Sequence, residues 1–226
     1  MQPEIFSVAE HRAAIVTRME SAIKQRVLSH NSLPQLIAVS KFQPVEAIEA
    51  AIKAGQVDFG ENHVQEMKAK WPALKKLYPQ VRLHFIGHLQ TNKAEEVVAL
   101  ADVIHSLDRP KLADALAKAF HKQGRQLPCY IQVNIGEEPQ KGGVAPAELD
   151  SFLAYCGTTC NLPVEGLMCI PPEGESPAPY FALMHQLGKR YQLKLSMGMS
   201  GDFEEAIAFG ADWVRVGTAI FGARQR

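Results

Sequence analysis

The chain has 226 residues, 46% of them hydrophobic, enough to fill the core of one large domain or two small ones. Its 24 Lys and Arg cancel its 24 Asp and Glu, so no net positive field favours nucleic acid or an anionic membrane. The four cysteines (Cys129, Cys156, Cys160 and Cys169) form no CxxC pair, zinc pattern or disulfide framework, which fits a reduced, cytoplasmic setting. The opening stretch carries His11 and Arg12 and lacks the apolar core of a signal peptide. No run approaches the ~20 apolar residues of a membrane span.

Residues 7 to 29 place Val8, Ile15, Met19, Ala22, Ile23 and Val27 roughly on one helical face, with Ser7 and Glu10 as a capping box. Asn31-Ser32-Leu33-Pro34 ends that helix. Leu36-Ile37-Ala38-Val39-Ser40-Lys41 follows. Its apolar run is too short for a helix, and Pro44 bars Gln43 from the helical region. It reads as a strand buried on both faces, delivering an amine to the carboxyl end where α/β proteins keep their chemistry. A partly buried lysine has a lowered pKa, which frees the amine for Schiff-base formation. A lysine that only snorkels out of a strand end is the plainer account, and this stretch alone favours it.

A helix is expected from Pro44 to Ala54, capped by Gly55. Strands are then expected at residues 57–62, 82–87, 103–108, 129–134, 164–170, 193–200 and 213–217. Helix signals follow each: towards Leu77 with a bend at Pro72, then near 91–100, 110–123, 146–155, 179–191, 202–209 and 218–221. Eight β-then-α units with no abutting strands imply a closed parallel (β/α)8 TIM barrel, preceded by an extra N-terminal helix. A doubly wound sheet is the rival, but no G-x-G-x-x-G follows the first strand. One domain spanning residues 1–226 is expected.

The strand ends converge on one mouth and comprise Lys41, Glu61-Asn62, His88, Asp108, Asn134, Met168, residues 196–200, and Arg215 with Gly217-Thr218. Two glycine-containing loops, 196–202 and 217–222, each open a helix and offer unpaired backbone N–H groups to an anion. Glycines that merely make tight turns would look the same. Two such loops, after strands seven and eight and beside a lysine, favour a phosphate-bearing ligand. An aldehyde-reactive lysine with a phosphate cradle is the pattern for pyridoxal 5′-phosphate (PLP). Arg215 would then face the pyridine nitrogen; a guanidinium keeps its proton and makes the ring a poor electron sink. An ion pair between Arg215 and a barrel carboxylate is the competing expectation.

The blocks Val39-Ser40-Lys41, Phe59-Gly60-Glu61-Asn62 with Val64-Gln65-Glu66, His84-Phe85-Ile86-Gly87, Gln132-Val133-Asn134, Gly166-Leu167-Met168, Ser196-Met197-Gly198-Met199-Ser200 and Arg215-Val216-Gly217-Thr218 span nearly the whole chain. Together they resemble the PLP homeostasis protein family, whose fold is similar to the N-terminal barrel of alanine racemase. The resemblance implies that Lys41 carries the PLP Schiff base, Arg215 faces the pyridine nitrogen, and Ser200, Gly217 and Thr218 hold the phosphate. It also places Asn62 and Met199 in the cofactor site. His63 departs from the tyrosine usual in the family, and Lys141 matches a loop lysine linked to cofactor release. The implied function is PLP binding, carriage and homeostasis without robust catalysis, with apo PLP-dependent enzymes as transient partners.

His84 and His88 have the spacing of a helical metal pair but fall on a strand and the loop beyond it, so no metal is expected. Asp58 and Asp108 lie near barrel ends with no nearby partner that suggests paired-carboxylate acid/base work, and Ser40, with no G-x-S-x-G around it, is expected to pack in its strand. A PLP-dependent racemase is the runner-up. It would need an acid/base on each face of the substrate, and in the alanine racemase it resembles a C-terminal β domain supplies one. The barrel here is expected to end at about Arg224, without such a domain. A monomer is expected.

Overall fold

The computed structural model describes residues 5–26 and 33–222, with side chains from Val8 onward. Each of the eight apolar runs forms a strand: β1 Gln35–Val39, β2 Asp58–Glu61, β3 Arg82–Phe85, β4 Val103–Leu107, β5 Cys129–Val133, β6 Val164–Cys169, β7 Lys194–Ser196 and β8 Trp213–Val216. Neighbours in sequence pair in parallel, and β8 pairs back to β1 to close the barrel. The strands stop one to four residues earlier than the apolar runs suggest, because the last residues of each run peel off into the mouth loops. In β7 the break is made by Gly198, whose φ of 92° turns the chain.

Helices α1 Ile5–Lys24, α2 Val45–Lys53, α3 Val64–Leu77, α4 Ala94–Leu100, α5 Pro110–Gln123, α6 Leu149–Ala154, α7 Ala178–Tyr191, α8 Phe203–Ala208 and α9 Thr218–Phe221 surround the strands. This is the TIM-barrel order with one extra helix, α1, which packs on α2, α8 and α9. Helix α1 is already formed at Ile5, so Ser7 lies inside it and is not its N-cap. The Ser7 side chain, Val27, Asn31, Ser32 and Arg224 lie outside the described residues. Gly55 closes α2 at φ 89° as expected. Helix α6 runs on into a wide π-type turn, Tyr155–Thr159, that the periodicity does not signal.

Two layers of packing result. The larger lies between strands and helices, where Phe59, Trp71, Phe85, Leu112 and Phe181 are fully buried. Each such side chain contributes about 1.5–3 kcal/mol by leaving water. Inside the barrel Ile37, Val103, Tyr130, Met168 and Trp213 form a second, smaller apolar cluster. Beside it lie the buried polar side chains of His84, His105, Ser196 and Arg215. The Tyr130 ring fits because Gly166 lies opposite it: a Cβ there would come within 2.1 Å of the ring.

Candidate functional site

The pairing of β1 with β8 brings the first and last predicted site residues together. Ile37 is level with Arg215 in that ladder. One step up, Gly217 lies so close to Val39 that a Cβ would sit 3.3 Å from the Val39 Cβ. Lys41 is two residues beyond Val39, half-buried, in a turn at the rim. The Gly217 N–H donates to Ser200 Oγ at 3.4 Å, which ties the loops after β7 and β8 into one wall beside that turn. Helices α8 and α9 have only 6 and 4 residues, so any anion held there would rest on individual N–H groups rather than a long helix dipole.

The remaining expected residues spread around the rim. Asn62 borders a cavity of about 390 Å³ shared with His63, Gln65, His88, Gln90 and Lys93. Its Oδ1 is buried with no hydrogen-bond partner. Thr218 is exposed at the start of α9. The Met199 N–H already donates to Asp202 Oδ1 at 2.6 Å, and its side chain is exposed. Lys141 stands on the loop after β5, where it pairs with Glu138 at 2.5 Å and donates to the Pro171 carbonyl at 3.4 Å. It borders a separate cavity of about 610 Å³.

Arg215 does not pair with a carboxylate among the described residues. It is buried and donates from Nη1 to Ser196 Oγ and from Nη2 to the Cys169 carbonyl, both at 2.8 Å. Below it a hydrogen-bond chain runs through the barrel: Ser196 Oγ to His105 Nδ1 at 3.0 Å, His105 Nε2 to His84 Nδ1 at 2.9 Å, and His84 Nε2 to Asp58 Oδ1 at 2.9 Å. Asp58 meets Arg82 at 2.7 Å on the barrel floor. Burial pushes the pKa of both imidazoles down, that of His105 the further.

The protons in this chain have one consistent placement. The Asp58 carboxylate accepts, so neutral His84 carries its proton on Nε2 and accepts at Nδ1. His105 must then be the Nε2–H tautomer, and Ser196 donates to it while accepting from Arg215. Asp58 is thus partnered by His84 and Arg82. Asp108 has neighbours too: it contacts Arg109, and His88 Nδ1 stands 3.6 Å from its Oδ2. Ser40 does more than pack; its hydroxyl donates to Glu61 Oε1 at 2.8 Å. The signal missed was two histidines, each central in a short apolar strand, on a face that the pleat turns inward.

A barrel with a lysine turn, a paired loop wall and a buried arginine at one mouth defines the alanine-racemase type of (β/α)8 protein. The family model "Alanine racemase, N-terminal domain" matches residues 18–225. An alanine racemase from Bartonella henselae shares the fold at 16% identity and TM-score 0.68, over 97% of this chain and 59% of its own. Curated relatives are closer. The pyridoxal phosphate homeostasis protein of Aquifex aeolicus is 39% identical over 97% of this chain and all 100% of its own, and the human protein of that name is 34% identical over 93% and 84%. The structure of PipY from Synechococcus elongatus with PLP bound superposes at TM-score 0.81 with 37% identity, covering 95% of this chain and 100% of that one. The chain belongs to the pyridoxal phosphate homeostasis protein family.

Proposed function

We propose that this protein holds PLP at the barrel mouth and buffers or delivers it, contributing to intracellular PLP homeostasis without robust turnover. The observation that supports the reading is the β1–β8 ladder, which pairs Ile37 with Arg215 and brings Gly217 against Val39, two residues before Lys41. The relative with PLP bound and the homeostasis proteins at 34–39% identity support it. The residues fit the cofactor: the glycine at 217 leaves room for close approach, and Asn62 Oδ1 is a buried acceptor without a partner. PLP supplies an aldehyde, which forms a C=N bond with a primary amine as its oxygen leaves in water. Lys41 offers that amine, Ser200, Gly217 and Thr218 receive the phosphate, and Asn62 and Met199 line the ring. Arg215, held from below, offers its remaining N–H groups to the ring nitrogen and leaves that nitrogen unprotonated, which suits carriage better than carbanion chemistry.

The whole chain, residues 1–226, acts in this reading as one PLP-binding unit, monomeric and cytoplasmic. No described helix is long and apolar enough to cross a membrane. Release passes to apo PLP-dependent enzymes by transient contact, with Lys141 on the facing loop assisting. Added PLP is expected to give the absorbance band of a lysine–PLP linkage, and Lys41→Ala to abolish it; a wild type with an unchanged spectrum would defeat the proposal. Racemisation of alanine or serine at ordinary enzyme rates would replace carriage by catalysis. Lys141→Ala should slow transfer to an apo-enzyme while leaving binding intact.

A further inference from the structure

We propose that Lys70 and Glu66 of α3, with Glu61 at the end of β2, are positioning residues for Lys41, acting as a clamp on its turn from outside the barrel wall. This deepens the function proposed above and rests on it for the role of Lys41. The turn is unusual. The Gln43 N–H donates back to the Ser40 carbonyl at 3.1 Å, and Phe42 takes a φ of 61°, a left-handed conformation that bulky residues rarely adopt. Phe42 is 57% exposed, with its ring against that of His63 at 5.3 Å between centroids. Strain of this kind persists only where surrounding groups over-determine it.

Those groups are a single cluster. Lys70 Nζ donates to the Ser40 carbonyl at 3.0 Å, and meets Glu61 Oε1 at 2.7 Å and Glu66 Oε2 at 2.8 Å. Its three donors thus have three acceptors. Glu66 Oε2 also accepts the Phe42 N–H at 2.7 Å, and Glu61 Oε1 accepts from Ser40 Oγ at 2.8 Å and from Trp71 Nε1 at 3.2 Å. One ammonium therefore organises the backbone on both sides of Lys41: the carbonyl of the residue before it and the amide of the residue after it. Lys70 is 9% exposed and Glu61 fully buried. Buried ion pairs of this sort are weak contributors to stability, often replaceable by apolar residues. What an apolar replacement would lose is the pair of backbone contacts that define the turn.

The test separates positioning from structural damage by comparing two ligands. PLP can link to Lys41. Pyridoxine 5′-phosphate has the same ring and phosphate but an alcohol in place of the aldehyde. In Glu66→Ala, and in the double variant Glu61→Gln/Lys70→Met that removes the buried charges together, the Kd for PLP should rise by about 10- to 100-fold, the cost of misplacing a reacting group by roughly 1 Å. The Kd for pyridoxine 5′-phosphate should stay at the wild-type value. Hydrogen exchange of the Phe42 amide, measured without ligand, should quicken in Glu66→Ala. Unchanged PLP capture in both variants, equal weakening of the two ligands, or unchanged Phe42 exchange would each overturn the clamp. A wild type that takes up neither ligand would overturn the functional reading instead, while Phe42 exchange would still decide whether the clamp exists.

Discussion

His84 and His105 are the residues whose chemistry the fold alters most. Both are fully buried and uncharged, with pKa values depressed by burial, whereas an unfolded histidine titrates near ~6.5. A depressed folded pKa means that the unfolded chain binds the extra protons as pH falls. The stability these residues allow is complete above about 6.5 and is lost progressively as pH drops towards their folded values. Stability measured by urea unfolding should therefore fall as pH is lowered below about 6.5, and a flat profile there would show that the two imidazoles are not held neutral by the fold. In the unliganded protein, nitrogen-15 NMR should find both rings as Nε2–H tautomers; an Nδ1–H form at His105 would break the chain to Arg215. None of this was legible in the sequence. Leu83-His84-Phe85 and Ile104-His105-Ser106 read as strands either way, and only closure of the barrel shows that the two imidazoles face each other. The positions of Lys41, just past β1, and of Arg215, on β8, were legible because each lies at or beside a short apolar run.

At the scale of elements, the sequence located all eight strands and the helices between them, since each apolar run is short and bounded by turn residues. The exact strand ends were less accessible, because they depend on where a loop leaves the ladder. Gly198 shows why that matters. Its φ is 92°, and a Cβ there would fall 2.5 Å from the Ala206 Cβ on α8. Gly198→Ala should cost about 2 kcal/mol in chemical denaturation, combining backbone strain with overpacking. The clamp around Lys41 was hidden for a related reason. Glu66 and Lys70 sit four apart on α3, a spacing ordinary for a solvated helix face, yet both meet the end of β1, where Glu61 of β2 joins them.

Across the molecule, the main apolar core and the proposed site occupy different layers. The apolar layer between strands and helices is continuous, while the barrel interior and mouth carry the polar groups. Leu112→Ala, at a fully buried position in the outer layer, should therefore destabilise by about 3 kcal/mol in urea. Thr218→Val, at the exposed rim, should change stability by less than about 0.5 kcal/mol, so that any loss of phosphate affinity there reports on the site itself.

The seam between β1 and β8 has a consequence for how the molecule is made. Lys41 follows the first strand and Arg215 lies on the last, and the two strands meet only when that seam zips shut. A partly folded or still-emerging chain holds one half of the proposed PLP site without the other. On that proposal ligand capture is a checkpoint on completed closure, and vitamer added during refolding should raise the yield of finished barrels without hastening the earlier steps.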